Sequence, residues 1–242
     1  MTRVVAIHQP NFFPWLGYFD KMARSQCFVF LDDVQIQKTG GGWANRVKMF
    51  VAGVPKWVTA PIDRNYHGGR QIRETRFVDK SDWRSDMLRT IRQSYKNAPH
   101  YKYTSDLITP LLMNPDNNLA SYNATTILAI AEELGISKSG VKFSSELASA
   151  GQSNERLISI IKSVAGDAYM YGGGADGYQE DHMFEASSIS LIRQNYSVVP
   201  YPQCGSSSFA AGLSVIDVLM NIGKEGAISL LAAHPSLSQS DL

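Results

Sequence analysis

Cysteine is scarce. Cys27 and Cys204 are the only two in 242 residues, too few for a disulfide framework in a chain long enough to build its own core. The expectation is a reducing compartment, the cytoplasm. A dominant charge is also lacking: 23 Lys+Arg stand against 22 Asp+Glu, so no overall field draws the protein to nucleic acid or an acidic membrane. No apolar run approaches the roughly 20 residues that cross a bilayer. The N-terminal apolar stretch, broken by His8, Gln9, Pro10 and Asn11, has no signal-peptide pattern. A soluble protein with no membrane partner is expected. The five histidines (His8, His67, His100, His182, His234) show no H-x-x-x-H spacing and the cysteines no C-x-x-C, which argues against structural zinc. The phosphate loop G-x-x-x-x-G-K-[ST] and the nucleophile elbow G-x-S-x-G are absent. No metal, NAD or PLP signature is found, and the cofactor stays unknown.

What is present reads as α/β. Arg3 to Ile7 is a short β-branched run that stops where Pro10 cannot join a ladder. Apolar residues at helical spacing follow (Trp15, Phe19, Met22, Ala23), and then Cys27 to Leu31, a second unbroken run ending in Asp32-Asp33. Buried parallel strands have this appearance. Thr39 to Gly42 reads as a glycine-rich turn or flap, and Asn45–Val51, Lys56–Ala60 and Ile72–Val78 as antiparallel strands. Helices suit Asp82–Tyr95 with Ser81 as N-cap, Ser105–Met113, and Leu119–Leu134 closed by Gly135. Strands near Gly140–Phe143, Asp167–Tyr171 and Ser188–Arg193, with helices at Ser153–Val164 and Ser214–Ile222, restore the alternation. The fold class is thus α/β: a mixed sheet with parallel N-terminal strands, an antiparallel β insertion and a helical middle segment. The tail from Pro235 reads as frayed.

The charge is unevenly distributed. Between Arg46 and Lys102 stand 13 Lys/Arg and 5 acids, interleaved with Tyr66, Trp83, Tyr95, Tyr101 and Tyr103. Such a segment can hold a polyanionic donor such as a tRNA, CoA or a nucleotide-sugar. A solvated face with salt bridges along the Asp82–Arg92 helix explains the same charges.

The densest polar group lies in the N-terminal loops: His8, Gln9 and Asn11 after the first strand, Trp15, Tyr18 and Lys21 at the start of the helix, Asp32, Asp33 and Gln35 after the second strand. In an open α/β sheet the carboxyl ends of neighbouring parallel strands face one crevice, where ligands bind. If the two strands are adjacent, His8 and Asp32 or Asp33 meet there, and an imidazole beside a carboxylate is a general base. The bland alternative is that these residues cap a strand end and turns. Tyr171 to Tyr178 formally satisfies G-x-G-x-x-G at Gly172, Gly174 and Gly177. The next strand runs into Gln194 and Asn195 rather than an acid, so dinucleotide binding is not supported; the loop either lets backbone approach a ligand or is a plain turn. Cys204 lies in a loop as a candidate nucleophile or a bystander, and Cys27 reads as core.

The stretch Ile7-His8-Gln9-Pro10-Asn11-Phe12-Phe13-Pro14-Trp15-Leu16-Gly17-Tyr18-Phe19-Asp20-Lys21, then Leu31 to Lys38 and Asn45-Arg46, resembles the WbqC-like family. The likeness continues through Tyr171–Tyr178 and from Tyr201-Pro202-Gln203 to Asp217, with a departure at Thr39–Gly42. It implies one α/β domain over 1–234, with a β-rich insertion at 45–80, a helical segment at 81–135 and a tail at 235–242. It further implies a biosynthetic enzyme associated with O-antigen and related surface polysaccharides or secondary metabolites. The residues suit transfer of an acyl or aminoacyl group to a small-molecule amine or hydroxyl, with His8, Asp33 and Lys21 as catalytic candidates. Gln9, Asn11, Trp15, Tyr18, Asp32, Gln35, Lys38, Asn45, Arg46, Tyr171, Gly173, Tyr178 and Gln203 are the substrate-binding candidates. A non-catalytic nucleotide-sugar or RNA binding module is the alternative. A nucleotidyltransferase is the third reading, although the H-x-G-H pair is missing.

Overall fold

The computed structural model describes residues 2–37, 42–78, 82–173 and 179–233. Five parallel strands form the main sheet: β1 (Val4–His8), β2 (Cys27–Phe30), β5 (Val141–Phe143), β6 (Ala168–Tyr171) and β7 (Ser190–Arg193), in the order β5-β2-β1-β6-β7. The antiparallel pair, β3 (Arg46–Val51) and β4 (Val54–Thr59), forms a separate two-stranded sheet. The α/β class and the antiparallel insertion are as expected, and β1 and β2 are adjacent, with His8 opposite Phe30.

The apolar strands are continuous because both faces are covered. Strand side chains alternate in direction: Val4, Ala6, Phe28, Phe30, Ala168 and Met170 belong to the larger core, and Val5, Ile7, Cys27, Val29 and Tyr169 to the second. The larger core takes in α1 (Leu16–Ala23), α2 (Trp83–Tyr95), α3 (Tyr101–Leu112), α4 (Leu119–Glu133) and α7 (Val215–Ala232). The second is closed by α5 (Ser153–Ser163) and α6 (Asp181–Ala186).

Three expectations change. Ile72–Val78 is not a strand: Ile72–Glu74 is a 3-10 turn, because the Gln71 amide N–H donates to Glu74 Oε2 at 3.0 Å in a capping box. Isolated bridges join Phe77 to Ile62 and Arg76 to Asn118. The third helix starts at Tyr101, earlier than Ser105. The last helix does not end at Ile222; Gly223 (φ 70°, ψ −172°) breaks it and helix resumes to Ala232. A side chain at Gly223 would strike the His100 ring, 2.6 Å from its Cβ. Asp82 caps α2, accepting from the Ser85 amide at 3.2 Å. Ser81, the Thr39–Gly41 turn, the Gly174–Tyr178 loop and the tail lie outside the described residues.

Candidate functional site

The strand order reverses direction between β1 and β6. The chain moves outward from β1 through β2 to β5, then crosses back to β6 and β7, and such a switch point opens a crevice beyond the carboxyl ends of the strands. A cavity of about 1130 Å³ occupies it. Its walls include His8 at the end of β1 with Gln9 and Asn11 beyond it, Trp15, Tyr18 and Lys21 at the following helix, and Gly172 and Gly173 after β6. Arg193 at the end of β7 with Gln194 and Tyr196 beyond it, Asn154 and Arg156 at the start of α5, and Trp43 also face it.

His8 stands at the edge of the cavity. Its Nδ1–H donates to the Gln9 carbonyl at 3.2 Å; a carbonyl only accepts, so the neutral ring keeps its lone pair on Nε2. Tyr18 stands edge-on to the imidazole, centroids 4.7 Å apart, and its hydroxyl donates to the same carbonyl at 3.0 Å. Burial, and then the Lys21 ammonium, push the His8 pKa down to about 3. Tyr18 and Lys21 are three residues apart on α1 and so share a face.

Lys21 is buried, with 6% exposure, and burial lowers its pKa to about 8. Among the described residues it donates to no side chain. The neighbouring Asp20 carboxylate is held by Gln194 Nε2 at 2.8 Å and Arg24 at 3.4 Å. A Cβ on Gly172 would come within 3.2 Å of Lys21 Nζ, so the glycine after β6 makes room for the amine. Asn11 is 4% exposed, and its Oδ1 has no partner. Its loop is firmly placed nonetheless: Asn123 Nδ2 donates to the Pro10 carbonyl at 2.8 Å and the Ala44 carbonyl at 2.7 Å. Trp15 packs edge-on against Tyr196 at 5.1 Å. Gly17 lies beneath the Trp15 indole, where a Cβ would sit 2.4 Å from a ring carbon.

Of the sequence-derived candidates, the fold brings His8, Gln9, Asn11, Trp15, Tyr18, Lys21 and Gly173 to the cavity wall. The expected pairing of His8 with Asp33 is corrected. Asp33 forms an ion pair with Arg156 and accepts from Ser144 Oγ, so it orients a cation of the cavity rather than the imidazole. Asp32 is closed off by Ser145, whose amide and hydroxyl donate to it at 3.1 and 2.7 Å. Asn45 closes the β3-β4 hairpin, its Nδ2 donating to the Ala60 carbonyl at 2.8 Å. Gln203 donates to Asp217 and the Ala210 carbonyl, both at 3.0 Å. Gln35 lies against Gly69, Arg46 over the Trp57 ring at 4.1 Å, and Tyr171 in the second core. None of these six lines the cavity. Lys38 and Tyr178 lie outside the described residues.

The cavity's cations come from elsewhere than the basic segment. Lys21, Arg156 and Arg193 line it, and among the described residues no Lys or Arg between Arg46 and Lys102 does. In that segment Arg70 pairs with Asp63 at 2.9 Å, Arg89 pairs with Asp86, Lys102 pairs with Asp106 at 2.9 Å, and Arg84 donates to Asn117 Oδ1 at 3.0 Å. Sequence reasoning missed Arg156, Arg193 and Trp43. The polar run Arg193-Gln194-Asn195 at the end of a strand was an available signal, of the kind that identified His8-Gln9. Arg156, on an ordinary amphipathic helix, offered none.

The sequence signature of the WbqC-like protein family matches residues 9–228. An uncharacterized protein of Mycobacterium tuberculosis, Rv1507c, is 31% identical over 226 residues, which cover 92% of this chain and 95% of that protein. No solved structure matches the chain. Among the described residues no helix is long and apolar enough to cross a membrane. The cavity residues from Gln9 to Gly212 fall within the matched span, and the chain belongs to the WbqC-like protein family.

Proposed function

We propose that the protein is a group-transfer enzyme that moves an acyl or aminoacyl group from an anionic donor to an amine or hydroxyl of a sugar or small metabolite. In this reading the step belongs to surface-polysaccharide or secondary-metabolite biosynthesis, the setting that the family resemblance suggests. The observation that carries the reading is an imidazole whose Nδ1 is engaged by the Gln9 carbonyl and whose Nε2 has no partner among the described residues, at the wall of a cavity that Lys21, Arg156 and Arg193 also line. The acceptor's proton passes to His8 Nε2 as its nitrogen or oxygen bonds to the acyl carbon. The donor's bond to that carbon then breaks, and the imidazolium returns the proton to the leaving group. In the empty cavity His8 is a weak base, in part because Lys21 stands beside it. An anionic donor against Lys21 offsets that charge and raises the imidazole towards the range in which it accepts protons effectively.

The test is a donor panel of acyl-CoA and aminoacyl-tRNA with amino-sugar acceptors, scored by product mass. His8→Ala is expected to lower turnover by about 10²- to 10⁴-fold, and Asp33→Asn to raise the donor KM through Arg156. Unchanged turnover in His8→Ala overturns the assignment of the base. Binding of donor without turnover across the panel overturns the transferase reading in favour of a binding module.

A further inference from the structure

Lys21 is the one buried lysine among the described residues, and it lines the cavity. A lysine side chain ordinarily keeps its ammonium in water, and one that serves only to carry charge is held cationic by solvent or by a hydrogen-bonded carboxylate. The carboxylate beside Lys21, that of Asp20, accepts instead from Gln194 Nε2 at 2.8 Å and from Arg24 at 3.4 Å. It lends Lys21 its charge but accepts no hydrogen bond from the amine. Burial outweighs that charge and brings the amine down to about 8. At pH 7 its uncharged, nucleophilic fraction is then about 300-fold larger than that of an ordinary lysine.

The space around the amine is kept open. A Cβ on Gly172, just after β6, would stand 3.2 Å from Lys21 Nζ and 3.3 Å from Gln194 Oε1. Gln194 is itself fixed, its Nε2 donating also to the Gly17 carbonyl at 2.6 Å and its backbone amide to the Tyr171 carbonyl at 2.9 Å. His8 stands near enough for the Lys21 charge to be felt at its ring, and its Nε2 has no partner among the described residues. A desolvated amine at a cavity wall, with room before it and an imidazole nearby, suits attack by lysine on a carbonyl compound.

We propose that Lys21 forms an imine with a small aldehyde or ketone bound in the cavity. The amine nitrogen bonds to the carbonyl carbon as the carbon–oxygen π pair moves onto oxygen. One amine proton passes to that oxygen and gives a carbinolamine. The second follows through His8 Nε2 as the carbon–oxygen bond breaks, and the products are the imine and one water. The uncharged amine no longer depresses the basicity of the His8 ring, which favours this relay. The inference goes beyond the group-transfer reading and does not depend on it.

The test is reductive trapping of the full chain with propionaldehyde, pyruvate or glyoxylate and sodium cyanoborohydride, read by intact mass and by peptide mapping of the lysines. Expected at pH 7, with at least one probe, is an adduct at Lys21 that forms about tenfold or more faster than at any other lysine. Its rate should level off above pH 8, where the exposed lysines continue to gain. Of the groups around the amine, His8 titrates near 3, and burial pushes Tyr18, Tyr169 and Tyr196 well up from their ordinary value. Neither the Asp20 carboxylate nor the guanidinium groups of Arg24, Arg156 and Arg193 are of a type that titrates between pH 7 and 10, so the levelling reports Lys21. Lys21→Arg, which keeps the charge, should abolish the adduct. Gly172→Ala should slow it about tenfold with the far-UV circular dichroism unchanged. Preference among the three probes shows whether the carbonyl partner carries a carboxylate. Trapping at Lys21 no faster than at the exposed Lys56, a rate at Lys21 that still rises to pH 10, or no Lys21 adduct with any probe overturns the proposal. Turnover in the donor panel without trapping sinks this inference and leaves the transfer reading standing. Trapping at Lys21 without such turnover does the reverse.

Discussion

Asp217 and Asn11 are both buried polar side chains, and the fold treats them in opposite ways. The Asp217 carboxylate accepts from Tyr95 Oη at 2.9 Å, Tyr201 Oη at 2.7 Å and Gln203 Nε2 at 3.0 Å. Tyr95 Oη in turn accepts the Phe50 amide at 3.0 Å. One carboxylate thus ties together α7, α2, the β3-β4 hairpin and the loop at Tyr201. Among the described residues Asn11 Oδ1, at 4% exposure, has no partner, and Lys21, in the same cavity wall, has no ion pair. A buried polar group left unsatisfied costs about 1–3 kcal/mol. The Asp217 carboxylate is thus matched by three donors, whereas Asn11 keeps an acceptor open at the cavity wall.

The comparison is broken most directly at Asp217. Asp217→Ala removes the shared acceptor from three buried donors, and a loss on the order of 3 kcal/mol in chemical denaturation is expected. A loss below about 1 kcal/mol would show that the network is not what holds α7. Next in size, Asn11→Ala and Lys21→Met remove groups with nothing to lose, so stability should be unchanged or slightly higher while affinity for the anionic ligand falls about tenfold or more. A large loss of stability in either would erase the distinction between the clusters.

Acidity sharpens the same contrast. The His8 pKa is about 3 in the folded protein against an ordinary 6.5. Below 6.5 the unfolded chain binds a proton that the folded one refuses, so this group's contribution to stability is lost as pH falls from 6.5 towards 3. Denaturation at pH 7 and pH 5 should therefore show a smaller loss in His8→Gln than in wild type; an equal loss contradicts the buried neutral ring. For Lys21, lowered to about 8, anion affinity should decline as pH rises through 8 and this decline should vanish in Lys21→Met. The smallest effect is expected in the basic segment. Lys56→Ala and Arg92→Ala, exposed and away from the cavity wall, should change stability by less than about 0.5 kcal/mol and affinity for the anionic donor less than twofold. A larger loss of affinity would restore the segment as a polyanion track.

Much of the architecture was legible in the residues. The unbroken apolar runs at Val4–Ile7 and Cys27–Phe30 marked strands covered on both faces, and the polar residues immediately after the first of them lead into the cavity. Ile72–Val78 misled because its β-rich composition says nothing of the Gln71 and Glu74 capping box that turns the chain. Asp33 misled for another reason: β1 and β2 are adjacent, which was the condition for the pairing, but Arg156, 123 residues further along the chain, claims the carboxylate.

The division follows from the range of the forces. Local spacing of apolar residues, proline and glycine determined the strands, most helices and the first polar loop, because these depend on neighbours a few residues apart. The WbqC-like relationship was likewise legible in short local motifs, the longest of them Ile7 to Lys21. Only the tertiary structure decided the strand order, the switch point between β1 and β6, the joining of Lys21, Arg156 and Arg193 in one cavity, and which buried polar groups are satisfied. Those depend on contacts between distant segments, whose partners are chosen by packing and by competition for hydrogen bonds rather than by local sequence.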